Sequence, residues 1–166
     1  MLPLSADELH EVTARVGFAV WQIQILENTV AAHLVFVHKV TPTVAKSEAE
    51  SMFAKAGKST LGQLLREIHA TGNALQHLVE ELDSFVPKRN WLIHHSRHET
   101  HADMYSATRR AALIARIAAI AADAVALGKA FQEATEAHLE TLGITKEQIE
   151  RDTAKLLREW TAGVSD

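Results

Sequence analysis

The chain has 166 residues, 47% of them apolar and 23% charged, which supplies enough apolar side chains for one domain-sized core and argues against wholesale disorder. Seventeen Lys plus Arg against 21 Asp plus Glu leave a net charge of −4, so a generally polycationic nucleic-acid binder is excluded and any anionic partner must be met locally. The absence of cysteine removes disulfides, thiolate metal sites, iron–sulfur clusters and Cys nucleophiles together, and leaves ten histidines as the feature to be explained.

Residues 1–11 hold Asp7, Glu8 and Glu11 and no basic cluster leading into an apolar stretch, a pattern unlike a secretory signal, so a cytoplasmic setting is expected. Seven Gly, three Pro, abundant Ala and apolar residues at three- and four-residue intervals predict an all-α protein, a bundle of about five to six helices. Ser5 with Glu8 forms a capping-box pattern, after which Leu9, Val12, Val16, Val20, Ile23, Val30 and Leu34 run down one face until Pro42, with Gly17 a candidate bend. Ser47 with Glu50 repeats the cap pattern before Met52 and Phe53, and Gly57 ends that helix. Thr60 starts another, carrying Leu61, Leu64, Leu65 and Ile68. Asn73 is placed to cap a helix with Leu75, Leu78, Val79 and Leu82. After Asp83 or Ser84 a new helix is expected, with Pro87 in its first turn and Lys88–His95 continuing. A long Ala-rich helix from about Asp103 to Leu142 ends at Gly143, and Thr145 with Gln148 opens a last one through Ile149, Leu156 and Trp160. The apolar stretches Phe18–Val40 and Ala111–Ala130 contain Glu27 and His33, and Arg116 and Asp123, respectively, so no membrane span is expected.

Residues 87–101 concentrate chemistry: four histidines (His94, His95, His98, His101) stand among Lys88, Arg89 and Arg97. From Lys88 to Arg110 five basic residues face only Glu99 and Asp103, a local excess of three, so the rest of the chain carries −7. Such a positive island suits a phosphate-containing ligand. On an α-helix Asn90 and His94 share a face, whereas Arg89 and His94 lie about 140° apart and roughly 7.5 Å along the axis, not a simple neighbouring pair. A long guanidinium can bend toward the imidazole, but two copies of the helix about a two-fold axis would bring both pairs together more naturally. Histidine moves protons near neutral pH and arginine offers paired donors to a phosphorane-like transition state, which fits phosphodiester cleavage without a metal, RNA supplying its own 2′-hydroxyl nucleophile.

At Arg89-Asn90-Trp91-Leu92-Ile93-His94 the sequence resembles the HEPN superfamily of helical domains, whose signature is an Arg, four to six residues and a His, often with a polar residue directly after the Arg. A long first helix with Leu26-Glu27-Asn28 and a Thr60-Leu61-Gly62-Gln63-Leu64-Leu65 segment keep the same order of elements, over a core of about 15–140 followed by a C-terminal helix of about 145–162 within a single domain of 1–166. The resemblance implies a helical bundle, commonly a homodimer with paired motifs at the interface. Many members are metal-independent endoribonucleases of toxin–antitoxin, abortive-infection or other defence systems, with an antitoxin protein as a candidate partner. Others are non-catalytic modules that bind nucleotide, RNA or a protein. Carried over by position, Arg89 would bind and stabilise the scissile phosphate, Asn90 would position it or His94, and His94 would be general base or acid. In the branch regulated by a nucleotidyltransferase antitoxin a tyrosine stands two residues after the histidine; here that residue is Ser96, so that scheme is not expected.

Lys88, His95, Arg97 and His98 are the candidate substrate-binding groups around the motif. Glu27 and Asn28, polar in an apolar helix, are candidates to support the motif from across the bundle, or simply a wetted helix edge. His94, His98 and His101 recur at metal-ligand spacing, but with no cysteine and few carboxylates nearby neither metal nor cofactor is expected. Trp21, Trp91 and Trp160 are read as core or interface anchors, and the Ala-rich run 111–126 as a surface for close helix approach. Gly57-Lys58-Ser59-Thr60 lacks the upstream glycine and strand of a phosphate-binding loop.

Overall fold

The computed structural model describes residues 4–41, 43–72 and 75–162. Among the described residues it is an all-α bundle without strands. Its helices are α1 (Ala6–His38), α2 (Lys46–Ala56), α3 (Leu61–Ala70), α4 (Gln76–Asn90), α5 (Ser96–Thr100), α6 (Ala107–Thr141) and α7 (Lys146–Ala162). A π turn, Trp91–His95, fuses α4 and α5 into one rod, which makes six rods in all. A 3-10 turn, Asp103–Tyr105, leads into α6.

The cap signals explain most of the helix starts. Ser5 Oγ accepts from the Glu8 amide (3.2 Å) while Glu8 Oε2 accepts from the Ser5 amide (2.9 Å), so two otherwise orphaned N–H groups are satisfied. Thr145 and Gln148 repeat the exchange at α7, at 2.9 and 3.3 Å. Gly143, at φ +82°, ends α6: its amide bonds Glu140 O and the Ile144 amide bonds Leu139 O, a left-handed stop that a side chain would strain. The Ser47–Glu50 box does not form. α2 starts two residues earlier, from extended Ala45, which places Glu48 in the first turn and pairs Lys46 with Glu50 (3.8 Å). Pro42 and Asn73 lie outside the described residues.

Contacts down the sequence set the directions. Glu8 meets Arg110 and His33 meets Thr135, so α1 and α6 run parallel; Lys88 meets Asp123 and Trp91 meets Arg116, so the α4–α5 rod is antiparallel to α6. The core lies among them: Ala19, Ile23, Leu26, Val30 and Leu34 of α1, Leu61, Leu64 and Ile68 of α3, Leu82 and Phe85 of α4, and Ile117, Ala124 and Phe131 of α6 are buried. Small Ala19 and Ala124 let the two long helices approach closely. Leu9, expected on the buried face, is half exposed, and α1 passes through Gly17 without interruption. The expected break near Asp83 is absent: α4 is continuous and Pro87 sits in its interior, its lost amide bond leaving Leu82 and Phe85 buried. By length and composition α6 would reach across a membrane; a third of its most apolar window is buried in the bundle.

Candidate functional site

Arg89 occupies the last turn of α4 and His94 the following π turn. In an α-helix the Ser96 amide would bond Leu92 O; here it reaches back one residue further, to Trp91 O, and Ser96 Oγ donates to Leu92 O instead (2.7 Å). The wider turn turns residues five apart into axial neighbours. Arg89 Nη1 therefore stands 3.4 Å from His94 Nε2 within one chain, so the guanidinium reaches the imidazole without a second copy of the helix. Facing a guanidinium donor, Nε2 must present its lone pair, so the ring proton belongs on Nδ1.

The guanidinium is fixed from three sides. Nε and Nη2 both meet Glu27 Oε1, at 3.2 and 3.1 Å, and Nη1 donates to Asn90 Oδ1 at 3.2 Å. The Arg89 and Glu27 side chains are only 17% and 20% exposed, so this charge-assisted pair is shielded from water and orients the guanidinium, while Asn90 and His94 are exposed. Asn90 thus engages the arginine rather than the imidazole. Below them Trp91 is buried: its Nε1–H donates to Glu99 Oε2 (2.8 Å), and the Arg116 guanidinium carbon lies 3.3 Å from its ring centroid. Glu99, Arg116 and Ser96 are positioning groups that the sequence reading did not single out. The eight-residue spacing of Trp91 and Glu99 is a signal for the first; nothing in the sequence links Arg116 to Trp91.

The other candidates disperse. Lys88 turns away to Asp123 Oδ2 (2.7 Å), at the edge of a separate cavity of about 430 Å³ that also bears His77, Glu80 and Glu81. Asn28, a further 100° round α1 from Glu27, is exposed on a groove with Ile25 and Gln132 and does not reach Arg89. His95 is exposed, its ring centroid 6.3 Å from that of His94. His98 is exposed and its carbonyl accepts from His101 Nδ1 (3.1 Å), and Arg97 lines a cleft described below. Among the described residues no cluster of three or more His, Cys, Asp or Glu is placed to hold a metal. Trp21 is not in the core; it is 66% exposed, on one face with Phe18 and Ile25. The Trp160 side chain lies outside the described residues.

Folding also changes the electrostatics of the island. Lys88 is paired with Asp123, Arg89 with Glu27, Arg109 with Asp103 (3.8 Å) and Arg110 with Glu8. Three of those acids come from outside the segment. Of the five cations that make the local excess, only Arg97 has no acidic partner among the described residues.

No family model, curated protein or solved structure matches the chain. What the arrangement can do is bounded by its atoms: an imidazole with a lone pair on Nε2 and an amide oxygen, both exposed, beside a half-buried guanidinium that the amide oxygen helps to hold.

Proposed function

We propose that the chain is a HEPN-type endoribonuclease that needs no metal and works as a homodimer. The observation that carries this reading is the contact between Arg89 Nη1 and His94 Nε2 on an exposed turn, with the arginine anchored by Glu27. His94 Nε2 takes the proton of the RNA 2′-hydroxyl as that oxygen attacks the adjacent phosphorus. The P–O5′ bond breaks, the 5′ oxygen leaves with a proton from an imidazolium, and the products are a 2′,3′-cyclic phosphate and a 5′-hydroxyl. A second copy of the motif supplies the second imidazole, one acting as base while the other acts as acid. Arg89 Nη1 donates to the phosphate in place of His94 Nε2 and stabilises the extra negative charge of the transition state, with Glu27 and Asn90 holding its plane. His95 and His98 are the nearest groups for flanking phosphates.

Purified protein should cleave single-stranded RNA in EDTA, and His94→Ala should reduce the rate by at least about 100-fold without changing the melting temperature. An unaltered rate in that variant sinks the assignment.

A second reading is favoured by the pairing of Arg89 with Glu27 and by the neutralised island: a HEPN-like module that binds nucleotide, RNA or a protein without cleaving. It predicts saturable binding that Arg89→Ala abolishes and no product from any RNA, an outcome a gel separates from the first in one experiment.

A further inference from the structure

Between the first turns of α1, α5 and the N-terminal half of α6 lies a cleft of about 530 Å³, within the range of small-molecule sites. Val12, Val16, Leu113, Ile117 and Met104 make its floor and Leu9 one wall. The Ser and Thr hydroxyl groups around it all donate to backbone carbonyls: Thr13 to Leu9 and His10 (both 3.0 Å), Ser96 to Leu92 (2.7 Å) and Thr100 to Ser96 (2.6 Å). The floor therefore offers apolar side chains, and the Ser and Thr protons around it are already taken. At the mouth stands Arg97, exposed and, among the described residues, without an ion-pair partner; beside it are the exposed Tyr105 and His101, whose Nδ1 is spent on His98 O.

The cleft is held open by a cross-tie. Arg110 pairs with Glu8 in the first turn of α1 and donates to Met104 O (2.7 Å), joining α1, the 3-10 turn and α6 with only 12% of its side chain exposed. A preformed apolar cavity with one unpaired cation at its rim is complementary to a molecule with an apolar body and one anionic end. A nucleobase suits it poorly, because the floor has nothing to meet the polar edges of a base.

We propose that this cleft binds a small amphiphilic anion, a carboxylate on an aliphatic body of medium-chain fatty-acid size, with the chain among Val12, Val16, Leu113 and Ile117 and the carboxylate on Arg97. The site is separate from the Arg89–His94 pair, and its occupancy does not depend on RNA cleavage.

The test uses decanoate as probe and decanol as its uncharged counterpart, with the full chain, by calorimetry and by amide chemical-shift mapping. Decanoate should bind saturably at one site with shifts confined to 9–16, 96–105 and 113–117. Arg97→Gln should weaken decanoate about tenfold and leave decanol unchanged. Leu9→Trp, at the half-exposed wall, should weaken both and tests the cavity without a buried substitution. Equal affinity of Arg97→Gln for decanoate, equal binding of decanol and decanoate by the native chain, or shifts scattered over the surface would each overturn the proposal. Displacement of decanoate by a short RNA would also overturn it, and would reassign the cleft to a base.

Discussion

Arg89 and His33 show how differently two polar side chains are accommodated in one helical bundle. Arg89 is half-buried with its donors taken by Glu27 and Asn90. His33 gives up its charge: it is fully buried, its Nδ1 meets Thr135 Oγ1 at 2.9 Å, and its Nε2 has no partner. Since the Thr135 hydroxyl donates to Phe131 O (2.8 Å), it accepts from His33 Nδ1–H. Burial, aided by neighbouring His38 and His138, pushes His33 from 6.5 down to about 4. The unfolded chain therefore binds a proton that the folded chain refuses between those values. Stability should be complete above about pH 6.5 and should fall by about 3 kcal/mol as pH drops towards 4, with His38, also lowered by burial, adding in the same direction. Urea titrations at pH 7 and pH 4.5 check this, and His33→Leu should flatten the difference; an equal slope in both proteins would reject it. The Arg89–His94–Glu27 cluster was half legible in the sequence. Arg89, Asn90, His94 and Glu27 could be picked out by type and spacing, but Lys88, Asn28 and Arg97 could not be told apart from them, because a rotation of 100° per residue decides which neighbour each meets.

Among the elements, the π turn governs the geometry of the pair. Ser96 holds it by donating Oγ to the carbonyl that its own amide does not take. Ser96→Ala should cost about 1 kcal/mol of stability and lower RNA cleavage disproportionately, because a return to α-helical winding would carry His94 away from Arg89. The check compares the thermal shift with the cleavage rate: loss of stability with full activity would show that the hydroxyl is not what spaces the pair. Most of the other elements could be read from the sequence. Ser5 with Glu8, Thr145 with Gln148 and Gly143 marked helix ends because cap chemistry is local. Pro87 misled because a first-turn proline and an interior proline look alike until packing is known, and here the burial of Leu82 and Phe85 keeps the helix going. No residue type marks a π turn, since it is an insertion into the winding rather than a pattern of side chains.

For the whole molecule, the charge map of the fold differs from that of the sequence. Read along the chain, the island promises three net positive charges; in the bundle, Asp123, Glu27 and Glu8 arrive from other helices and leave Arg97 as its one unpaired cation among the described residues. For single-stranded RNA three released counterions would give a log–log salt slope of about −2. The paired charges predict a shallower slope, measurable by fluorescence anisotropy between about 50 and 200 mM salt. A slope near −2 would mean that the pairs open when RNA binds.

The parallel arrangement of α1 and α6 has a cost in time. Their partners, Glu8 with Arg110 and His33 with Thr135, stand 102 residues apart. A ribosome adding about 5–20 residues per second must make everything between His38 and α6 before α1 can meet the helix it pairs with along its length. For those seconds the face of the first helix that α6 will bury has no α6 to cover it, and the exposed apolar surface is a hazard that the finished bundle no longer carries.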